Sequence, residues 1–198
     1  MKKALIVRHA HREKIPSELG QSVEGFQENL VPVTEEGRLA ARNVGKLISA
    51  QYDFVTFSSV LRCNQTAAAI NSSSTLKNIG ESEYLVSEYF GNLNQLNEKE
   101  KQIAIDSLLN REDSLGLDLH KKMESIICCF KENTKLGNGI YVTHDWWMAL
   151  FLSYFTDLFK QESYKIWPDF LEYFEIDFEK NEIIYRNRVF KLFINPNY

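Results

Sequence analysis

Residues 5–16 read Leu5-Ile6-Val7-Arg8-His9-Ala10-His11-Arg12-Glu13-Lys14-Ile15-Pro16. Together with Ala4, the first three form a short apolar run of the kind that becomes a buried strand. The run stops at Arg8 and His9, and His11 and Arg12 follow. A buried strand that releases two arginines and two histidines at its carboxyl end makes poor packing but a good anion site. In open α/β sheets, ligands bind where the strands end.

The same design recurs downstream. Residues 53–58 read as a second strand and end at Ser58-Ser59, with Arg62 one turn into the helix predicted over 61–70. Residues 139–143 form another apolar strand, ending at His144-Asp145. Strand, helix and strand with such short connections imply parallel βαβ wiring. In a parallel sheet these ends share one edge, so Arg8, His9, Arg62 and His144 converge although they are remote in sequence. Paired arginines suit the oxygens of a phosphate dianion.

Between these landmarks, Thr34 is placed to cap a helix over 34–50, with Glu35 and Glu36 in its first turn. Ala40, Val44, Leu47 and Ile48 are its expected buried face. A short strand is predicted over 84–87 and a helix over 97–110. An amphipathic helix over 119–135 carries Leu119, Met123, Ile126, Ile127 and Phe130. A helix over 146–159, apolar nearly all round, reads as buried. Residues 170–178 and 182–190 alternate as a terminal β-hairpin. The expected architecture is a three-layer α/β/α sandwich around a mostly parallel sheet, closed by that hairpin. One domain spans 1–198, with polar, weakly patterned lid elements at 10–33 and 89–116.

The 198 residues are 44% hydrophobic and 25% charged, as in an ordinary globular chain. A net charge of −4 gives no global attraction to nucleic acid or to an anionic membrane. Arg8 cuts the N-terminal apolar run too short for a signal peptide, and no apolar run approaches the ~20 residues of a membrane span. Cys63, Cys128 and Cys129 fit no metal spacing and read as free thiols. A cytoplasmic protein acting on a small phosphorylated substrate is expected, with oligomeric state open.

Four blocks resemble the histidine phosphatase superfamily, which includes metal-independent phosphomonoesterases and the phosphoglycerate mutases. Arg8-His9-Ala10 is similar to its R-H-G signature, and Val33-Thr34-Glu35-Glu36-Gly37 to its L-T-x-x-G helix start. Residues 58–67, Ser-Ser-Val-Leu-Arg-Cys-Asn-Gln-Thr-Ala, resemble its S-S-x-L-R-R element followed by Q-T-A. Residues 142–145 match the strand carrying the second histidine. The blocks occur in family order. The resemblance implies a phosphoglycerate mutase-like fold and a phosphohistidine formed on His9. Arg8, Arg62 and His144 would bind the phosphoryl oxygens, with no cofactor and no metal.

Two residues compete as general acid. Asp145 resembles the His-Asp pair of the acid phosphatase and phytase branch, and Arg12 agrees as that branch's extra phosphate-binding arginine. Glu88 resembles the glutamate of the mutase-like branch. Two residues against one favour Asp145. Phosphoester hydrolysis is the primary expectation. The alternatives are a mutase-type phosphotransferase and a phospholigand-binding pseudoenzyme, and only Ala10, in place of the signature glycine, points to the latter. Cys63, where the family has a second arginine, is expected to point away from phosphate. His11 is expected at the pocket rim, Trp146 and Trp147 in the core, and Arg186 and Arg188 as solvated strand charges.

Overall fold

β1 (Lys3–Arg8) is the pivot of the sheet in the computed structural model, which describes residues 2–14, 29–86, 97, 99–100, 102–103, 106, 118–156, 158 and 167–192. On one side β1 pairs in parallel with β4 (Gly139–Thr143), placing Arg8 beside Thr143. On the other it pairs antiparallel with β5 (Tyr173–Asp177). Beyond β4 lie the parallel strands β2 (Phe54–Phe57) and β3 (Lys77–Glu81). Beyond β5 lie the antiparallel strands β6 (Glu182–Tyr185) and β7 (Arg188–Lys191). The order is β3-β2-β4-β1-β5-β6-β7. Paired on both sides and covered on both faces, β1 uses an unbroken apolar run rather than an alternating one.

Among the described residues the helices packed on the sheet are α1 (Glu35–Ile48), α2 (Leu61–Asn71), α3 (Leu119–Asn133) and α4 (Asp145–Phe155). The steps from β1 to β2 and from β2 to β3 run in one direction along the sheet. Right-handed crossovers therefore place α1 and α2 on one face. The return from β3 to β4 reverses direction and puts α3 on the opposite face. The core divides accordingly. Leu5, Val7, Val55, Ile140 and Val142 face α1 and α2. Ala4, Ile6, Phe54, Tyr141 and Phe174 face α3 and α4, in a layer rich in aromatics including Phe130, Trp147 and Phe151. This is the expected three-layer sandwich.

Four expectations are corrected. The third strand lies at Lys77–Glu81, and Glu83–Leu85 is instead a 3₁₀ turn. As the sheet's edge, β3 needs only one partner and no apolar run, so Lys77-Asn78-Ile79-Gly80-Glu81 carries little strand signal. The buried stripe of α1 is Gly37, Ala41 and Gly45, while Leu47 stays 78% exposed. A Cβ on Gly45 would run into the Ile70 carbonyl of α2. Bare backbone at that crossing lets the two helices approach closely, and the larger side chains of α1 turn outward. Residues 182–190 form two strands, because Arg186 and Asn187, both at positive φ, turn the chain between them. Positive φ at both central positions marks a type I′ hairpin turn. The last helix stops at Phe155, where Thr156 becomes extended. Most of the helix predicted over 97–110, and most of both lid elements, lie outside the described residues. Among the described residues no helix is long and apolar enough to cross a membrane.

Gly45→Ala is expected to cost about 1–3 kcal/mol through overpacking at the helix crossing. Leu47→Ala should stay within about 0.5 kcal/mol. Urea unfolding midpoints of the two variants check the contrast.

Candidate active site

Sheet hydrogen bonding continues one residue past the strands and fixes their ends in register. His9 N–H donates to Thr143 O at 2.9 Å, and Ser58 N–H donates to Val142 O at 3.0 Å. His9, Ser58 and His144 thus meet on one edge, at adjacent strand ends. Arg62 enters from the first turn of α2. Thr66, one turn further on, ties that helix to the β1 end: its Oγ1 accepts Ala10 N–H at 3.0 Å and donates to Arg62 O at 2.7 Å. The N-terminus of α1 is tied in as well. Thr34 N–H donates to His11 O at 3.0 Å, and Thr34 Oγ1 caps Gly37 N–H at 3.0 Å.

The geometry settles both imidazole tautomers. His9 Nδ1 lies 2.8 Å from Ala10 O, and a carbonyl only accepts, so Nδ1 carries the proton. Its Nε2 lone pair then receives Arg62 Nε–H at 3.2 Å. A guanidinium only donates, so His144 Nδ1, 3.4 Å from Arg62 Nη2, is an acceptor. His144 therefore protonates at Nε2, which donates to Ser58 Oγ at 3.0 Å. The rings have opposite tautomers, and each turns a lone pair to the same arginine. Their centroids stand 5.5 Å apart. Burial, reinforced by the Arg62 charge, lowers the His9 pKa to about 3. The same causes hold His144 well below the ordinary histidine range. Both are neutral at neutral pH, as a nitrogen nucleophile requires.

Arg8 is placed differently from the expectation of a free phosphate clamp. Its Nη2 pairs with Asp145 Oδ2 at 2.9 Å, and its Nη1 donates to Pro168 O at 2.6 Å. Phe170 lies against its guanidinium, with the ring centroid 4.0 Å from Cζ. The remaining Nε–H is buried without a hydrogen-bond partner among the described residues. Burial pushes the Asp145 carboxyl upward. Arg8, the Trp167 indole N–H at 3.0 Å and Trp146 N–H at 2.8 Å outweigh it and hold the group below the usual carboxylate range. Its place in the first turn of α4 acts in the same sense. Asp145 is thus an ionised partner of Arg8, a state opposite to that of a stored proton.

Arg12 sits half-buried in a bridge to Val33, close enough for its charge to depress both Arg8 and His144. Glu88 lies outside the described residues. Ala10 is fully buried within the core facing α1 and α2, so its methyl group packs there and leaves the anion site unobstructed. Cys63 Sγ is 3.6 Å from Thr143 O and 3.5 Å from His144 Nε2, packing behind the second histidine. Trp147 is core, and Trp146 stacks on Trp167. Among the described residues no group of three His, Cys, Asp or Glu side chains could hold a metal ion.

Sequence reasoning missed residues 167–172, which supply Pro168 O, the Trp167 indole and Phe170. It also missed their anchor. Arg186 is no free surface charge: it forks onto Glu172 through Nε and Nη2, and donates to Trp167 O at 3.2 Å. The one available signal was the cluster of Trp167, Pro168 and Phe170 immediately before β5.

Residues 4–188 match the family model described as histidine phosphatase superfamily, branch 1. Comparison with curated proteins gives no match. Among solved structures, the chain is similar to Entamoeba histolytica phosphoserine phosphatase in complex with 3-phosphoglyceric acid, at 18% identity and TM-score 0.59, covering 98% of each chain. It is also similar to alpha-ribazole phosphatase from Shigella flexneri, at 16% identity and TM-score 0.58, covering 97% of this chain and 95% of that one. YhfR of Bacillus stearothermophilus aligns at 15% identity and TM-score 0.59, covering 99% and 97%. At these identities the likeness establishes a shared fold.

The depressed histidines carry a stability signature. An unfolded histidine takes up a proton near pH 6.5, whereas buried His9 resists protonation down to about pH 3. The unfolded chain therefore binds more protons between those limits, and stability falls as pH falls. The slope approaches about 1.4 kcal/mol per pH unit for each such histidine. His9→Gln is expected to remove one share of it, read from urea midpoints between pH 7 and 4. An unchanged slope would contradict the assignment.

Proposed function

The chain belongs to the histidine phosphatase superfamily, and from that premise we propose that it hydrolyses phosphate monoesters through a phosphohistidine on His9. One observation carries the reading: the Nδ1–H bond to Ala10 O leaves the Nε2 lone pair of a neutral imidazole directed at the Arg62 guanidinium.

In this mechanism the phosphoryl group enters between His9 Nε2 and Arg62. The P–Nε2 bond forms as the bond from phosphorus to the ester oxygen breaks, in line. Arg62 turns its donors from the imidazoles to the phosphoryl oxygens, joined by Arg8 Nε–H and the charge of Arg12. Phosphoryl transfer is mostly positioning and electrostatics, and these arginines supply both. The arriving dianion raises the His144 pKa, so that Nδ1 takes up a proton from solvent and turns from acceptor into donor. The departing alkoxide needs a proton. Asp145 is ionised and holds Arg8, so Glu88 is assigned as the acid. Water then attacks phosphorus and gives its proton to the Glu88 carboxylate left by the first step, the P–Nε2 bond breaks, and phosphate leaves with His9 regenerated. The substrate class is a small phosphorylated molecule. The three free cysteines support a reducing, cytoplasmic setting.

Purified protein is expected to hydrolyse p-nitrophenyl phosphate in EDTA, with His9→Ala reduced to background in the same assay. Glu88→Gln should slow alkyl phosphates by roughly 10²-fold or more. It should barely affect p-nitrophenyl phosphate, whose leaving group needs no proton. Asp145→Asn should slow both alike through Arg8. If the leaving-group dependence appears in Asp145→Asn instead, the acid assignment is reversed.

A further inference from the structure

Residues 167–172 cross the mouth of the site between α4 and β5, and their shape is over-determined. Glu172 N–H donates to Asp169 O at 3.0 Å, closing a turn with Leu171 at φ +60. Positive φ at the third position of such a turn is a type II geometry that favours glycine. Leucine there is strained, and strain of this kind persists only where the surroundings hold it. Here they do. Arg186 and Asp169 N–H hold the Glu172 carboxylate, Glu172 O accepts Arg8 N–H, and Arg8 Nη1 holds Pro168 O.

The turn presents Phe170 on the side of the histidines, beside the exposed Asp169. Its ring is pinned by the Arg8 guanidinium and lies 5.6 Å from the His9 ring and 5.0 Å from the His11 ring, centroid to centroid. It nevertheless remains 38% exposed. A rigid, partly solvated aromatic beside the nucleophile is what a substrate group covers on binding. In-line attack sends the ester oxygen and its substituent away from His9 Nε2, and Phe170 is the partly exposed aromatic ring beside that histidine.

We propose that Phe170 is the platform for the leaving group, and that the protein selects esters whose alcohol carries an aromatic ring. The inference rests on the phosphatase reading for its chemistry, but binding alone tests it. Stacking contributes about 0.5–1.5 kcal/mol beyond area burial, which predicts up to a roughly tenfold preference.

The test compares calorimetric affinities for phenylphosphonate and cyclohexylphosphonate, which need no turnover. The intact protein should favour the aromatic member about tenfold in affinity. Phe170→Leu should bring that ratio toward one, and Phe170→Tyr should preserve it. Equal affinities in the intact protein, or a ratio that Phe170→Leu leaves unmoved, would overturn the proposal. So would equal losses on both ligands, which would make Phe170 only a prop for Arg8. Absence of turnover with the affinity ratio intact would defeat the phosphatase reading and leave the platform standing.

Discussion

The site depends on one buried guanidinium shared by two neutral imidazoles. Arg62 gives Nε–H to His9 and Nη2–H to His144, and so dictates both tautomers at once. Drawing two imidazole lone pairs to one buried guanidinium fixes the two rings relative to each other. An anion bound there would replace these lone pairs as acceptor of the arginine's donors. The topology serves this arrangement. The reversal of strand order seats β4 between β1 and β2, which brings the two histidines to adjacent strand ends and leaves α2 to deliver the arginine from the neighbouring strand.

A second cation beside the first raises the electrostatic cost, and the fold answers it with Asp145. Pairing Arg8 with an ionised carboxylate neutralises one of the charges while leaving Nε–H available. The carboxylate is in turn held by Trp167 and by the backbone at the start of α4. The residue after the second histidine therefore earns its place as an electrostatic spacer. Removing it would leave Arg8 buried with weaker compensation, which is costlier than losing an exposed pair.

Much of this was legible in the sequence, for identifiable reasons. Arg8, His9, Arg62 and His144 stand directly at strand ends or one turn beyond, so local pattern and parallel topology together imply their convergence. Thr34 caps α1 as its hydroxyl and the following glutamates indicate. What could not be read depends on tertiary contact. The buried face of α1 is set by two glycines against another helix's backbone, and no hydrophobicity pattern reports that. β3, as a polar edge, lacks the apolar run that marks the other parallel strands. Asp145 looks identical in sequence whether it stores a proton or pairs with arginine; only the position of Arg8 decides. Phe170 and Arg186 are linked to the site by turns of unusual backbone conformation, at Leu171 and at Arg186 itself, that carry no glycine to announce them.

Both partners of β1, β4 and β5, come from the last third of the chain. During vectorial synthesis the first strand thus leaves the ribosome with two open edges and nothing to zip against until residues beyond 139 emerge. An apolar strand with free edges is a template for unwanted pairing, and the long wait lengthens its exposure. Closure of the sheet and completion of the grip on Arg8 arrive in one late event, when β5 slots in beside β1 and carries residues 167–172 with it. A nascent chain holding both histidines and Arg62 still lacks that grip, so catalytic competence and protection of the amino-terminal strand are gained together.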